Sequence, residues 1–497
     1  MSSANGIGGT ENPNGTDGTN GTSTGNGTTP GTSVLKRIFG LALPTFGQLI
    51  AEPVFILIDT AIVGHIGDDA LAGLSIGSTV ILTTVGLCIF LAYSTTSQVA
   101  QLIGGGKRRQ GLQAGINGMW LALVLGTLIS IGVMVFSSQL CWALGARGAV
   151  HTQALLYTRA LAFSIPGALL VYAANGIFRG LFKVRITLVA AVGGAIVNTA
   201  LDFLFIYGFG WGIAGSGFAT LIAQWLMAGF LSVLACRWAT ASGARLAPQM
   251  KGILSNAADG LPLFIRTLAL RASLVATVAA AAHMGTVVLA SYQAVNSMWN
   301  LALNMLDAIG IAGQSVVGEA IGRRRRQHLG TDEVHALVST SAKAGFLMGI
   351  AVGAILIISS FQLSGVFTPN PIIRHLIVVG MIVVGIFCPM QGWVWALDGV
   401  LIGAGDYRYL AVTSIISSAV YLLALGALIV TVGESGGMGT GDATAGSASA
   451  VAGANGPWNA TYLVIALWLV FNLFFMGSRG VGNGLRARSD KWLAKTL

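Results

Sequence analysis

Long apolar runs, each broken by only one or two polar positions, alternate along this chain with short basic stretches. Runs of about 20 residues or more, the length of helix that crosses a bilayer, fall near 37–64, 71–103, 113–137, 152–178, 186–207, 213–236, 257–282, 287–320, 337–361, 373–402, 409–432 and 458–477. The pattern predicts twelve transmembrane helices, because in lipid each backbone N–H and C=O must be bonded within its own segment. One run stands out. The stretch "FILIDTAIVGHIG" at 55–67 puts Asp59 in its middle, with Glu52 seven residues upstream. A charged side chain at the bilayer centre costs roughly 2.5–3.5 kcal/mol on insertion scales. Gln48, Glu52 and Asp59, at spacings of 4 and 7, form one polar stripe on the first helix, expected to face a cavity. Pro53 removes a donor and frees the Leu49 carbonyl, while Pro44 weakens the same helix nearer its start. A static kink and a hinge are both compatible with this pattern.

Composition agrees with the pattern. The 497 residues are 54% hydrophobic and 9% charged, against about 25% charged in soluble domains, so the chain is a polytopic membrane protein. A formal charge of +10 would fit a nucleic-acid surface were it not for its placement. Arg147 and Arg374 fall in loops on one side, and Arg159, Arg266 and Arg271 fall within spans. The other 22 of the 27 Lys and Arg fall in loops and ends on the opposite side. Positively charged loops face the cytoplasm, so both termini are expected there, with no nucleic-acid partner. Residues 1–33, almost wholly Gly, Thr, Asn and Ser, read as a disordered cytoplasmic tail without the basic start and apolar centre of a signal peptide. A Gly/Ala/Ser-rich stretch at 433–456 reads as a flexible outer loop. The four cysteines, Cys88, Cys141, Cys236 and Cys388, lack the spacing of metal or disulfide sites.

A shift of 218 residues aligns "LP" at 43–44 with "LP" at 261–262, "GHIG" at 64–67 with "AHMG" at 282–285, and "KRRQ" with "RRRRQ". A shift of 223 aligns "IPGALLVYAANGIFRG" at 165–180 with "CPMQGWVWALDGVLIG" at 388–403. Two halves of six spans follow. Six is even, so both enter the membrane from the same side as parallel repeats. The fold expected is an all-α membrane protein in which two six-helix bundles surround a central cavity. A lobe at 34–236 and a lobe at 257–478 would be joined by a cytoplasmic linker at 237–256, with a basic cytoplasmic tail at 479–497. Alternating access is what such a shape does mechanically.

The residues "LALPTFGQLIAEPVFILIDTAIVGHIG" in the first span, "NGIFRG" in the fourth, "NTALDFLFIYGFGWGIAGSGFAT" across the fifth and sixth and "ALDGVLIGAGD" in the tenth resemble the multidrug and toxic compound extrusion (MATE) transporters. They look most like the DinF-like branch of that family. The resemblance covers about residues 35–480 and implies efflux of organic cations or amphipathic drugs in exchange for protons or sodium ions, without a cofactor and without enzymatic chemistry. It also implies residue roles. Asp59 matches the first-span acid of ion coupling, Asn198 and Asp202 match the branch's fifth-span pair, and Asn175 and Thr220 match polar partners on spans four and six. Pro44 matches a first-span proline implicated in bending.

The competing reading of those five residues is interhelical hydrogen bonding, worth about 0.6 kcal/mol per contact, which is small beside what two intramembrane carboxylates cost. Under the 218 shift Asp59 falls on Thr277, so the second half carries no counterpart, as expected of a single coupling site. Asp398 aligns with Asn175 and reads equally as a cavity acid or as a helix-end acid bonded to backbone or to an arginine. Arg266 and Arg271 are expected to pair with Asp307, Asp398 or Glu319 and to stabilise the second lobe. His65 and His283 are repeat-equivalent, but no further ligands have metal-site spacing, so no metal is expected. Trp299, Trp393, Met298 and Met390, with Tyr292, Trp395 and Met305, cluster on spans eight and ten, where aromatic and thioether groups suit an organic guest or a packed core. Gln48, Glu52 and Asp398 join Trp299, Trp393, Met298 and Met390 as candidate cavity residues. The leading expectation is a monomeric plasma-membrane antiporter. A flippase for lipid or lipid-linked precursors is the alternative, and an intramembrane enzyme lacks a nucleophile with a base or a metal cluster.

Overall fold

A computed structural model describes residues 30–327, 330–435 and 459–494. The Gly/Thr/Asn-rich tail up to residue 29 and most of the stretch read as an outer loop lie outside the described residues. The described chain is helical throughout its spans: α1 (Pro30–Gly64), α2 (Asp68–Gly104), α3 (Arg108–Ala143), α4 (Gly148–Ala162 and Ile165–Gly180), α5 (Val184–Gly208), α6 (Gly212–Ala241), α7 (Met250–His283), α8 (Thr286–Gln327), α9 (Asp332–Phe367), α10 (Pro371–Ala404), α11 (Tyr407–Ser435) and α12 (Ala460–Arg488). Eleven are long and apolar enough to cross a membrane as they stand, and α4 makes the twelfth as a bent pair.

The packing repeats as the sequence does. In the first half α1 lies on α5, and α2 and α3 lie on α4; in the second half α7 lies on α11, and α8 and α9 lie on α10. Between the halves, the stretch from Ser242 to Gln249 is shorter than the linker expected, and it is pinned to α3. Trp120 Nε1 donates to the Leu246 carbonyl at 2.8 Å, and Gln113 exchanges bonds with the Arg245 backbone at 2.8 and 3.0 Å.

The fourth span, expected as one run, bends by 47° at Phe163–Ser164. Pro166 lacks an amide hydrogen and so leaves the Ala162 carbonyl without its helical donor. Ser130 Oγ of α3 donates to that carbonyl at 2.8 Å, and Trp225 Nε1 of α6 donates to the Phe163 carbonyl at 2.9 Å. Neighbouring helices thus satisfy the freed groups, the condition for a broken helix in lipid. Pro44 and Pro53, by contrast, sit inside a continuous α1. Two π-helical turns occur, at Phe203–Gly208 directly after Asp202 and at Phe471–Met476 in α12.

The two halves meet at the end of the molecule where the basic loops lie. There α8 is buried on nearly every side from Ala308 to Gly322, as are α2 from Phe90 to Gln101 and α10 from Val394 to Ala404. One apolar core continues from the first half through Ile309, Val316 and Ile321 of α8 and Val400 of α10, whereas a second core stays within the second half. Arg37 Nη2 pairs with Glu319 at 2.5 Å, Gln101 Nε2 donates to the Gly403 carbonyl at 2.8 Å, and Ser97 Oγ bonds the Tyr407 hydroxyl. Glycine permits the closest approach: a Cβ at Gly104 would stand 2.0 Å from the Glu319 carbonyl oxygen, and one at Gly322 would stand 1.9 Å from that of Gln101. Toward the opposite end the same α8 exposes Gln293, Ser297, Asn300 and Leu301, so the cleft between the halves opens on that side.

Candidate functional site

In the first half, Gln48 and Glu52 of α1, Asn175 of α4, Asn198 of α5 and Thr220 of α6 line one pocket of about 110 Å³. Asp59 and Asp202 lie further along α1 and α5, 3% and 0% exposed, close enough to repel each other. Ser216 Oγ donates to Asp59 Oδ1 at 2.6 Å, and the Tyr157 hydroxyl stands against the same carboxylate. Asn198 Nδ2 donates to Thr220 Oγ1 at 3.0 Å. Among the described residues, neither carboxylate oxygen of Asp202 has a hydrogen-bond partner, nor do Asn175 Oδ1 and Asn198 Oδ1. Buried acceptors are rarely left so. Two helices, α4 and α5, therefore carry oxygens without donors, with further oxygens of Asp59 on α1 and Thr220 on α6, and such a set accepts either a proton or a hard cation.

The second half differs. Asp398 of α10 accepts from Arg266 of α7, and from Arg479 and Asn483 of α12. Arg479 stacks over the Trp395 ring at 4.8 Å. The reading of Asp398 as an acid bonded to an arginine is the one observed, with two arginines. Between the halves these groups face a cavity of about 320 Å³, lined also by Tyr93, Arg271, Trp299, Asn300, Asn304 and Asp307. The Tyr93 hydroxyl donates to Asp307 at 3.1 Å, and Arg266 and Arg179 both act on Asp307 electrostatically.

Three placements correct the sequence reading. Arg479 and Arg179, counted with the basic loops, are buried, 1% and 4% exposed. Arg479 belongs to a helix that continues past Gly477 to Arg488 rather than to a tail, and Arg179 donates to Gln48 Oε1 at 3.1 Å. Of the aromatic and methionine cluster, Trp299 lines the central cavity, while Met298, Met390 and Trp393 line neither cavity described above. The two methionines pack on the core of the second half, and the Trp393 indole lies against Gly480 and Gly484, which leave room for it. Arg266 pairs with Asp398 as expected, but Arg271 makes no hydrogen bond or ion pair among the described residues.

Several cavity residues escaped the sequence reading although a signal existed. Gln293, Ser297, Asn300, Asn304 and Asp307 recur at spacings of 4, 3, 4 and 3, one polar face of α8. Its last three members line the cavity.

The comparisons with known proteins agree with this fold. The chain is 26% identical to Protein DETOXIFICATION 43 of Arabidopsis thaliana, over 78% of this chain and 84% of that one. It is 26% identical to DNA damage-inducible protein F of Escherichia coli, over 75% and 81% of the two chains. A solved MOP superfamily transporter from Pyrococcus furiosus superposes with a TM-score of 0.77 at 20% identity, covering 94% of this chain and all of the other. The MatE family model matches twice, at residues 44–204 and 262–428, two segments that begin 218 residues apart, the shift at which the sequence repeats. The chain is a multi-pass membrane transporter of two six-helix halves and belongs to the MatE family.

Proposed function

We propose that this protein exports a small organic molecule by alternating access, driven by inward movement of a proton or a sodium ion through the N-terminal half. The observation that carries the reading is Asp202. Its carboxylate is buried beside Asp59 without a donor, one helical turn from Asn198, whose Oδ1 is also unpartnered, as is that of Asn175 in the adjoining pocket.

Repulsion between the two carboxylates is relieved when one takes up a proton or when a sodium ion sits among the oxygens of Asp59, Asn175, Asn198, Asp202 and Thr220. Asp59 lies on α1, whose Pro44 and Pro53 leave two weakened turns in the helix. Neutralisation lets α1 bend there and narrow the pocket lined by Gln48 and Glu52. The basic residues gathered at the closed end support an orientation with both termini in the cytoplasm, in the plasma membrane of a cell, with the protein acting as a monomer. In that orientation the closed state described above faces outward.

The test uses purified protein in liposomes under an imposed proton or sodium gradient. Asp59→Asn is expected to give a folded protein that binds its substrate and does not couple transport to the gradient. Gradient-driven transport at the wild-type rate would return Asp59 to a helix-packing role.

A further inference from the structure

A further cavity, of about 570 Å³, lies at the basic end of the molecule, where α2 and α3 of the first half meet the linker and α7 of the second. It shares no lining residue with the two cavities described above. Its walls are mostly amides and arginines, and some of the amides serve the fold. Gln113 holds the Arg245 backbone, Asn256 Nδ2 donates to the Ala114 carbonyl at 3.0 Å, and Gln98 Nε2 donates to Asp259 Oδ2 at 3.1 Å. Asp259 is the only acid among the lining residues, and Arg408 acts on it as well. The remaining polar groups have nothing to bind. The lining side chains of Arg109, Gln110, Arg245 and Gln249 make no hydrogen bond or ion pair among the described residues. Arg109 lies along the linker, its Cδ 3.9 Å from where a Cβ at Gly243 would stand, so one guanidinium from α3 and one from the linker border the same space.

The planar donor fork of arginine matches a phosphate, and a side-chain amide, both donor and acceptor, matches a hydroxyl. Together they suit a phosphorylated polyol. The same face of α3 indicates how such a group is carried. Gln110, Gln113 and Asn117 continue through Trp120 to Val124, Leu128, Ile131 and Val135 at spacings of 3 and 4, one stripe along the helix. The last four are each at least half exposed, so the stripe passes from the polar cavity to the lipid-facing side. Trp120 marks the change, its Nε1 bonded to the Leu246 carbonyl, as Trp does at the headgroup level of a membrane. From Trp120 to Ile131 the stripe runs roughly 16 Å at a rise of about 1.5 Å per residue, and the hydrocarbon of one leaflet is about 15 Å deep. It gives acyl chains a path that a soluble polyol phosphate would not need.

From this juxtaposition we infer that the cavity between α3, the linker and α7 holds an anionic phospholipid with a hydroxylated headgroup. Arg109 and Arg245 take its phosphate, Gln110 and Gln249 its hydroxyls, and the acyl chains lie along α3. Basic pockets between helices on the cytoplasmic side of a membrane suit such headgroups, and the orientation proposed above puts this one in the cytoplasmic leaflet. Because its walls belong to both halves, an occupied site favours the arrangement in which the halves meet at this end.

The test is native mass spectrometry of the full-length protein in detergent, titrated with phosphatidylglycerol, phosphatidylserine and phosphatidylcholine of identical acyl chains. One phosphatidylglycerol is expected to bind ahead of the other two. Arg109→Gln and Arg245→Gln, both at exposed positions, are each expected to weaken it by roughly fivefold, the worth of one basic residue at an anionic membrane surface. Arg147→Gln, at the opposite end, is expected to leave it unchanged. Phosphatidylserine that binds equally well, with the charge and without the hydroxyls, overturns the inference, as does phosphatidylglycerol affinity that survives both substitutions. So does displacement of the lipid by free glycerol 3-phosphate at equal concentration, since the occupant would then be soluble. None of these outcomes touches the coupling role of Asp59, which stands or falls on gradient-driven transport alone.

Discussion

The two halves place polar groups at matching points and treat charge in opposite ways. At the shift of 218, Gln48 of the first half corresponds to Arg266 of the second; at the shift of 223, Asn175 corresponds to Asp398. One half therefore carries two amides where the other carries an ion pair. Asp59 corresponds to Thr277, whose hydroxyl bonds Tyr421 at 2.6 Å and the Ser273 carbonyl at 2.8 Å. The second half is thus neutral and satisfied at the point where the first holds repelling carboxylates. The contrast separates two uses of intramembrane charge. Paired charge fixes a helix contact, and unpaired charge is available to an ion that comes and goes.

The comparison breaks most visibly if the paired side is disturbed. Asp398→Ala leaves Arg266 and Arg479 buried together without their shared carboxylate, and removing one partner of a buried pair destabilises by about 3–5 kcal/mol. Loss of expression, or a sharply lower melting temperature in detergent, is the expected result. Asp59→Asn probes the other side, with melting near the wild-type temperature while gradient-driven transport falls by at least about tenfold, equivalent to about 1.4 kcal/mol. Gly322→Val acts on the closure between the halves rather than on either. It forces side-chain atoms onto the Gln101 backbone, with an overpacking cost of about 1–3 kcal/mol borne by the closed state alone. A cysteine at Ser97 should then react faster with a thiol reagent applied from the basic end. The smallest effect is expected from Tyr421→Phe, which removes one neutral hydroxyl contact worth about 0.5–1.5 kcal/mol. Transport at the wild-type rate in that variant would sharpen the contrast, and a coupling defect would erase it.

Much of this was legible in the sequence because a bilayer admits few solutions. Twelve apolar runs, the 218-residue repeat and acids inside spans follow from composition and spacing alone. The parts that were not legible are contacts between residues far apart in the chain. Nothing local indicates that Ser130 will satisfy the Ala162 carbonyl across a bend, or that the acid at 398 will meet an arginine at 479. A basic residue at the end of an apolar run reads as the start of a loop, so Arg179 and Arg479 were placed outside the membrane. Only the packing around each, with Gln48 and with Asp398, draws them in. The pairing of Arg266 could be expected from charge alone, but the lack of one for Arg271 could not. That depends on which face of α7 turns toward the cleft.

The close approaches of Gly104 to the Glu319 backbone and of Gly322 to the Gln101 backbone have a consequence for the energy economy of a cell. Where two backbones meet without side chains, no gap is left in which a file of water molecules could form, and water is what carries stray protons across a membrane. A closure made of flexible side chains would admit such a file whenever a rotamer changed. A seam of main chain parts only when the helices themselves separate, so passage is confined to the moments of a full turnover. A membrane holding many copies of this protein can then keep its ion gradient charged while the transporter stands idle.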